Sequence, residues 1–165
     1  IPAQLGLPAD LLTVEPPGGC SPPDAGARGE PIEGGPVRYR GRAAVKLTEG
    51  VPRRPWHEFT TCPDEDFLSP SRVHVDTFGH VHLCQGLLMG NLWQKTLSEL
   101  VADYDPIQHP ILGPLIEGGP AALVERYDLP FRETYADACH LCYLARDALR
   151  ARFPQMLAPP VVYGE

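Results

Sequence analysis

The chain has 165 residues, which suits one domain with a hydrophobic core but not two full domains. Its net charge of −7 argues against non-specific binding to nucleic acid, and no apolar run approaches the length that crosses a bilayer. Five cysteines leave one thiol over in any fully paired disulfide framework, so we expect a cytoplasmic protein in a reducing environment.

Residues 1–36 contain eight prolines and seven glycines and show no sustained hydrophobic period. Prolines at this density cannot continue a helix or a central strand. The stretch is therefore predicted to be an extended linker or a loop wrapped on something else, with the folded domain spanning residues 37–165. Cys20 lies inside the stretch, far from the other cysteines, and is interpreted as a bystander.

The segment before Cys62 is predicted to hold one short helix, Gly41–Leu47, followed by two core anchors, Trp56 and Phe59. The acidic run at 64–66 comes directly after Cys62. Its oxygens could bind a metal ion, but a solvated acidic turn is the preferred interpretation.

A β-hairpin is the best-defined local prediction. Val73 and Val75 alternate with polar residues, and Val81 and Leu83 do the same. The two apolar pairs share a face only if Val75 opposes Val81 and Val73 opposes Leu83. This register leaves a three-residue loop that ends at Gly79, and such loops favour a positive φ at their last residue.

The same register predicts the chemical surroundings of Cys84. This cysteine falls on the face opposite the valines, with His74 and His82. Arg72 would lie across from Cys84, where a cation favours the thiolate form that binds metals. The two histidines are either further ligands of a mixed zinc site or an ordinary cross-strand polar pair.

Two glycines, Gly86 and Gly90, follow Cys84 closely. They are interpreted as tight turns that also allow the backbone to approach a sulfur ligand. Further along, Thr96 to Glu99 matches a capping box, which predicts a helix with an apolar stripe facing the core. Pro110 and Pro120 are each predicted at the first position of a short helix.

The last predicted helix runs from Tyr135 to Phe153, with a capping box starting at Thr134. Cys139 and Cys142 then lie in its first two turns on one face, where the helix dipole favours thiolates. Arg146 lies one turn beyond Cys142 and adds positive charge. Residues 161–163 are predicted to form a short edge strand.

Four of the cysteines are thus predicted to gather from a turn, a hairpin and a helix. Thiolates brought together in this way usually hold a soft metal ion or an iron–sulfur cluster. The predicted fold class is α+β, a small β-hairpin with several short helices around the site. The expected ligands are Cys62, Cys84, Cys139 and Cys142.

Residues from about 41 to 164 resemble the C-terminal auxiliary iron–sulfur region (SPASM or Twitch type) of radical S-adenosylmethionine (radical SAM) proteins. The resemblance rests on the constellation of several short pieces, on the four residues that separate Gly79 from Cys84, and on an upstream cysteine paired with a later Cys-x-x-Cys. The matching pieces are Gly41-Arg42-Ala43, Val73-His74-Val75-Asp76, Gly79, Cys84-Gln85-Gly86, Gly90-Asn91 and Cys139-His140-Leu141-Cys142. The resemblance implies that Cys62, Cys84, Cys139 and Cys142 ligate one [4Fe–4S] cluster.

The sequence departs from the family pattern in two ways. No cysteine follows Cys142, so we expect one auxiliary cluster rather than two. The Cys-x-x-x-Cys-x-x-Cys motif of the radical-generating cluster is also absent, so the chain is not expected to be catalytic alone. It would be the C-terminal part of a radical SAM enzyme or a separate domain.

The resemblance implies an auxiliary domain for electron transfer, substrate placement or structural support. The implied partner is a radical SAM catalytic domain, in cis or in trans, with a peptide or protein as one substrate class to consider. The alternative is a structural zinc module with the same four cysteines that mediates protein interaction. A thiol oxidoreductase using Cys139 and Cys142 is disfavoured, because the sequence lacks a βαβ setting. Neither nucleic acid nor a membrane is expected as a partner.

Overall fold

A computed structural model describes residues 37–164 and shows an α+β fold, as predicted. The predictions for residues 1–36, including the role of Cys20, lie outside this range. The strands are β1 (Arg54–Pro55), β2 (His74–Val75), β3 (His80–Cys84), β4 (Leu87–Asn91) and β5 (Thr134–Tyr135). The α-helices are α1 (Ala43–Lys46), α2 (Leu97–Ala102), α3 (Leu112–Tyr127) and α4 (Ala138–Leu149). Short 3-10 turns lie at Trp56–Glu58 and Pro160–Tyr163.

The hairpin register is confirmed. In the antiparallel pair β2–β3, Val75 lies opposite Val81 and His74 lies opposite His82. Gly79 ends the loop with a φ of +79°, the left-handed conformation that favours glycine. Asp76 stabilises the loop by accepting hydrogen bonds from the amides of the residues two and four positions later.

The prediction of a hairpin alone was incomplete, because β4 adds a third strand to the sheet in the order β2–β3–β4. Gly86 makes the turn between β3 and β4 with a φ of +78°. Gly90, in contrast, lies within β4, and a Cβ atom added there would lie 2.4 Å from Cδ2 of Leu100. This glycine therefore serves close packing against α2 rather than a turn.

The predicted start of the last helix was wrong. Thr134 is not a helix cap but pairs with Pro55 in the two-stranded sheet β1–β5. The N-cap of α4 is Asp137, whose carboxylate accepts a hydrogen bond from the amide of His140 at 2.6 Å. The helix begins at Ala138, so Cys139 and Cys142 still occupy its first two turns.

Helix α3 is two helical segments joined at a kink. Gly118 and Gly119 have non-helical backbone angles, and Pro120 follows them as the first residue of the second segment, as predicted. The prediction for Pro110 was wrong, because α3 begins at Leu112. The ring of His109 accepts hydrogen bonds from the two amides that open this helix.

The capping box of α2 is confirmed, with Thr96 and Glu99 each bonding the backbone of the other. The apolar stripe predicted for this helix is only partly buried. Leu100 is buried next to Gly90 of β4, whereas Leu97 and Val101 are exposed. Residues 161–163 form part of a 3-10 turn instead of the predicted edge strand. No helix within the described range has the length and apolar character needed to cross a bilayer.

Candidate metal centre

The four predicted cysteine ligands lie around one cavity. Cys62 comes from the loop before β2, Cys84 from the end of β3, and Cys139 and Cys142 from the start of α4. All four are free thiols. The cavity wall also includes a hydrophobic lining and three charged side chains, Arg40, Asp64 and Arg146.

The kink in α3 positions the loop that carries Cys62. The amide of Ala121 donates to the carbonyl of Phe59 at 3.1 Å, which ties this loop to the helix. A Cβ atom added to Gly119 would lie 2.3 Å from the carbonyl carbon of Thr60, so only glycine allows this approach. The buried ring of Phe59 anchors the same loop in the core, as predicted.

The turn after Cys84 is held by contacts from two distant elements. The hydroxyl of Tyr163 donates to the carbonyl of Gly86 at 2.8 Å, and Arg146 donates to the carbonyl of Gln85 at 2.9 Å. The ring of Tyr163 stacks on that of Tyr143 in α4. The end of β3 and the helix with the Cys-x-x-Cys pair are therefore fixed relative to each other.

Two guanidinium groups lie at the cavity. Arg40 donates from Nη1 to Sγ of Cys84 at 3.0 Å. Arg146 is 1% exposed and also donates to the carbonyl of Cys142. The prediction that Arg72 would be the cation near Cys84 was wrong, because Arg72 is an exposed residue that pairs with Glu65.

The acidic run at 64–66 was predicted to be a solvated turn, and this was wrong for Asp64. Its side chain is 8% exposed and belongs to the cavity wall. One oxygen pairs with Arg38, and the other accepts a hydrogen bond from the thiol of Cys139 at 3.0 Å. The negative charge thus has two partners, as a buried carboxylate requires.

Burial favours the protonated form of the two thiols in α4, those of Cys139 and Cys142. It raises the pKa of Cys139 to about 12, with a further contribution from nearby Asp137. It raises the pKa of Cys142 to about 11, against the opposing effect of Arg146. Burial also opposes the charge of Arg146, yet the neighbouring sulfurs of Cys142 and Cys84 keep the pKa of this guanidinium above its ordinary value. A metal ion would have to displace the thiol protons in order to bind.

The spacing of the sulfurs and the free volume favour different occupants. A single zinc ion with Zn–S bonds of about 2.3 Å needs tetrahedral sulfurs about 3.8 Å apart. Within residues 37–164 only one group of three ligand atoms lies within 4.8 Å of one another, and it contains no cysteine. A cubane cluster binds each cysteine at a different iron and spaces the sulfurs more widely. The free cavity, about 20 Å³, has room for little more than one water molecule. A cluster therefore requires the lining to open.

This group of three close ligand atoms lies in the hairpin, outside the cysteine cavity. Oδ2 of Asp76 lies 2.8 Å from Nδ1 of His80 and 3.3 Å from Nε2 of His82. Nδ1 of His82 accepts a hydrogen bond from the amide of Gly86. The neutral ring then carries its proton on Nε2, where it donates to Asp76, and a metal ion at Nε2 would need the opposite tautomer. We interpret the group as a hydrogen-bonded network that stabilises the hairpin.

His74 and His82, which the sequence left as either ligands or a cross-strand polar pair, do not join the cysteines and lie opposite each other in the hairpin. His82 is buried in the hairpin network, and His74 is exposed. His140, between the two cysteines of the Cys-x-x-Cys pair, is fully buried and packs edge-on against Tyr135. Burial, and after it the charge of Arg53, lowers the pKa of His140 to about 4, so this ring is neutral.

Sequence reasoning missed Arg40 and Asp64 as members of the cavity wall. Arg40 is 44 residues away in sequence from Cys84, which it contacts, and Asp64 is 75 residues away from its partner Cys139. The only local signal was that Arg40 and Asp64 adjoin segments already singled out, the predicted first helix and Cys62.

Comparisons of the chain with family models, curated proteins and solved structures gave no match.

Proposed function

We propose that residues 37–165 form an auxiliary domain of a radical SAM protein that holds one [4Fe–4S] cluster. The ligands would be Cys62, Cys84, Cys139 and Cys142. The observation that carries this proposal is that four free thiols from three separate elements line one cavity, together with two guanidinium groups. No three of the four sulfurs lie within 4.8 Å of one another, and this spacing supports a cluster over zinc.

The residues around the cavity have distinct roles in this proposal. The end of β3 and the first turns of α4 supply three sulfurs on well-ordered elements, while Cys62 closes the site from a loop. Arg40 and Arg146 offset the negative charge of the thiolates. A bound cluster would supply one-electron chemistry, and ligation by four cysteines leaves no iron open to substrate. Electron transfer or structural support therefore fits better than direct substrate ligation.

The radical chemistry itself would belong to a partner. This chain lacks the Cys-x-x-x-Cys-x-x-Cys motif, so the S-adenosylmethionine-cleaving domain would act in cis or in trans. A peptide or protein is the substrate class that we propose for the assembly, and a reducing cytoplasm would keep the thiols available. Protein tested by itself should form no 5′-deoxyadenosine above the no-protein control.

A structural zinc site with the same four cysteines is the second candidate, and one observation favours it. The free volume of about 20 Å³ would accept a single ion with less rearrangement than a cluster needs. Zinc would tie the loop, the sheet and α4 together without redox activity. Such a module would then act in protein interaction.

Anaerobic purification followed by metal and sulfide analysis separates the two candidates. We expect iron and acid-labile sulfide in equal amounts, with broad visible absorption that bleaches on reduction. The Cys84→Ser variant should lose this absorption, and Cys20→Ser is the matched control that should keep it. Colourless protein with one zinc per chain, after handling without air, would support the zinc site and contradict the cluster.

A further inference from the structure

We propose that Arg40 is a two-point anchor for the anionic centre in the cysteine cavity and raises its reduction potential. This inference rests on the proposed function and extends it to a residue outside the cysteine set. Arg40 precedes the pieces that carry the family resemblance. Its role comes from the structure alone.

The first observation is a direct contact with one of the sulfurs. Nη1 of Arg40 lies 3.0 Å from Sγ of Cys84, a short distance for a nitrogen–sulfur hydrogen bond. The side chain also belongs to the wall of the cavity that the four cysteines share. When Cys84 is a thiolate ligand, this contact becomes a charge-assisted hydrogen bond.

The second observation is an unused donor on the same guanidinium. The Nε atom of Arg40 is buried and has no hydrogen-bond partner in the described part of the chain. A buried donor without an acceptor costs free energy, and an anion in the cavity would supply the acceptor that this donor requires. Because the guanidinium is planar and rigid, its donors suit an anion that presents more than one acceptor atom. A sulfur-rich anionic centre has that character.

Arg146 differs from Arg40 in this respect. Two of its nitrogens donate to the backbone carbonyls of Gln85 and Cys142. It therefore holds the protein framework while contributing its charge to the cavity wall. Each guanidinium contacts a sulfur, Arg40 that of Cys84 and Arg146 that of Cys142. Of the two, Arg40 is the one with a buried donor that has no partner among the described residues.

The property that Arg40 would change is the reduction potential of the bound cluster. A cluster held by four thiolates carries a net negative charge, and one added electron increases that charge without making or breaking a bond. A fixed cation with hydrogen bonds to the sulfurs stabilises the reduced form more than the oxidised form. Removal of the Arg40 charge should therefore favour the oxidised centre.

The test compares anaerobic redox titrations of the wild-type 165-residue chain and of the variants Arg40→Lys, Arg40→Met and Arg42→Gln. Iron and sulfide are measured for each protein. Arg42 is the matched control, an exposed arginine in the same segment. In Arg40→Met we expect the ratio of reduced to oxidised cluster, at a fixed solution potential, to fall at least tenfold, which for one electron is about 59 mV. Arg40→Lys keeps the positive charge but loses the planar guanidinium. Its reduction potential should therefore lie between those of Arg40→Met and wild type. Arg42→Gln should match wild type.

The outcomes separate the two proposals. A wild-type protein without a cluster overturns both of them. A cluster whose potential is the same in wild type and Arg40→Met overturns the role of Arg40 and leaves the cluster proposal standing. If both Arg40 variants lose secondary structure by circular dichroism, Arg40 is a folding residue and the anchor proposal fails.

Discussion

The carboxylate of Asp64 accepts a hydrogen bond from the thiol of Cys139 at 3.0 Å, across 75 residues of chain. The contact joins the loop of Cys62 to the first turn of α4. Its other oxygen pairs with Arg38, whose side chain is 45% exposed. Asp64 is thus the buried member of a charged network at the edge of the cysteine cavity.

Asp64→Ala should destabilise the metal-free, reduced protein. The substitution leaves the Cys139 thiol without its acceptor and removes the partner of Arg38. A hydrogen bond to a charged group contributes about 1.5–3 kcal/mol, so we expect a loss of that order in urea unfolding. Arg38→Ala is the control, because an ion pair with an exposed partner contributes only about 0–1 kcal/mol. An equal or larger loss for Arg38→Ala would contradict the assignment.

Gly119→Ala should be the more damaging of two neighbouring glycine substitutions. Gly119 has a φ of +66° and a ψ of −159°, a region that residues with a side chain rarely adopt, and the added Cβ would meet the backbone of Thr60 at 2.3 Å. Gly118 has an extended φ of −157°, and its Cβ would meet only Ala122 at 3.0 Å. We expect Gly119→Ala to cost at least about 2 kcal/mol more than Gly118→Ala. Equal melting temperatures for the two variants would contradict this account of the kink.

The sequence predicted the parts of the fold that depend on local rules. The hairpin register followed from two-residue alternation and from Gly79, and the α2 cap followed from Thr96 and Glu99. β4 was missed because Leu87–Asn91 has no apolar–polar alternation, and its two adjacent leucines are both buried. The predicted start of α4 was wrong because both Thr134 and Asp137 are suitable N-cap residues. Only the pairing of β5 with β1, a tertiary contact, decides between them.

The site shows the same division between local and tertiary information. The spacing of Cys139 and Cys142 and the end of the hairpin at Cys84 identified the sulfurs that the structure brings to one cavity. The charged partners could not be found in this way. Arg40 and Asp64 reach the sulfurs only through long-range packing, and no sequence periodicity encodes such contacts.

The carboxylate of Asp76 should make the hairpin sensitive to acid. Desolvation opposes its ionisation, but hydrogen bonds from His80, from His82 and from the backbone lower the pKa of Asp76 from 3.8 to about 2. Because the folded-state pKa lies below the unfolded-state value, the stabilisation is present above about pH 4 and is lost as the pH falls towards 2. In urea unfolding, the free energy of unfolding of wild type should therefore exceed that of Asp76→Asn at pH 6, and this difference should become smaller at pH 2.5. Glu49→Gln, at an exposed carboxylate, should show no such change, and a gap that widens in acid would contradict the prediction.

Loss of a cysteine ligand should lower metal content and thermal stability together. The four sulfurs connect a loop, the sheet and α4, so binding contributes to folding, on the order of 10 kcal/mol in small zinc peptides. We expect serine at Cys62, Cys139 or Cys142 to reduce both quantities in anaerobic preparations. His74→Ala and His82→Ala should leave the bound metal unchanged, although His82→Ala should loosen the hairpin. Full metal content in any of the three serine variants would contradict a four-cysteine site.

Native mass spectrometry of the anaerobically purified chain tests the central claim most directly, because the mass added to the polypeptide identifies the occupant. The cluster proposal predicts an increment of four irons and four sulfides on wild type and on Cys20→Ser, with none on Cys84→Ser. A spectrum of wild type with the bare polypeptide mass, or with the increment of a single zinc ion, would contradict it.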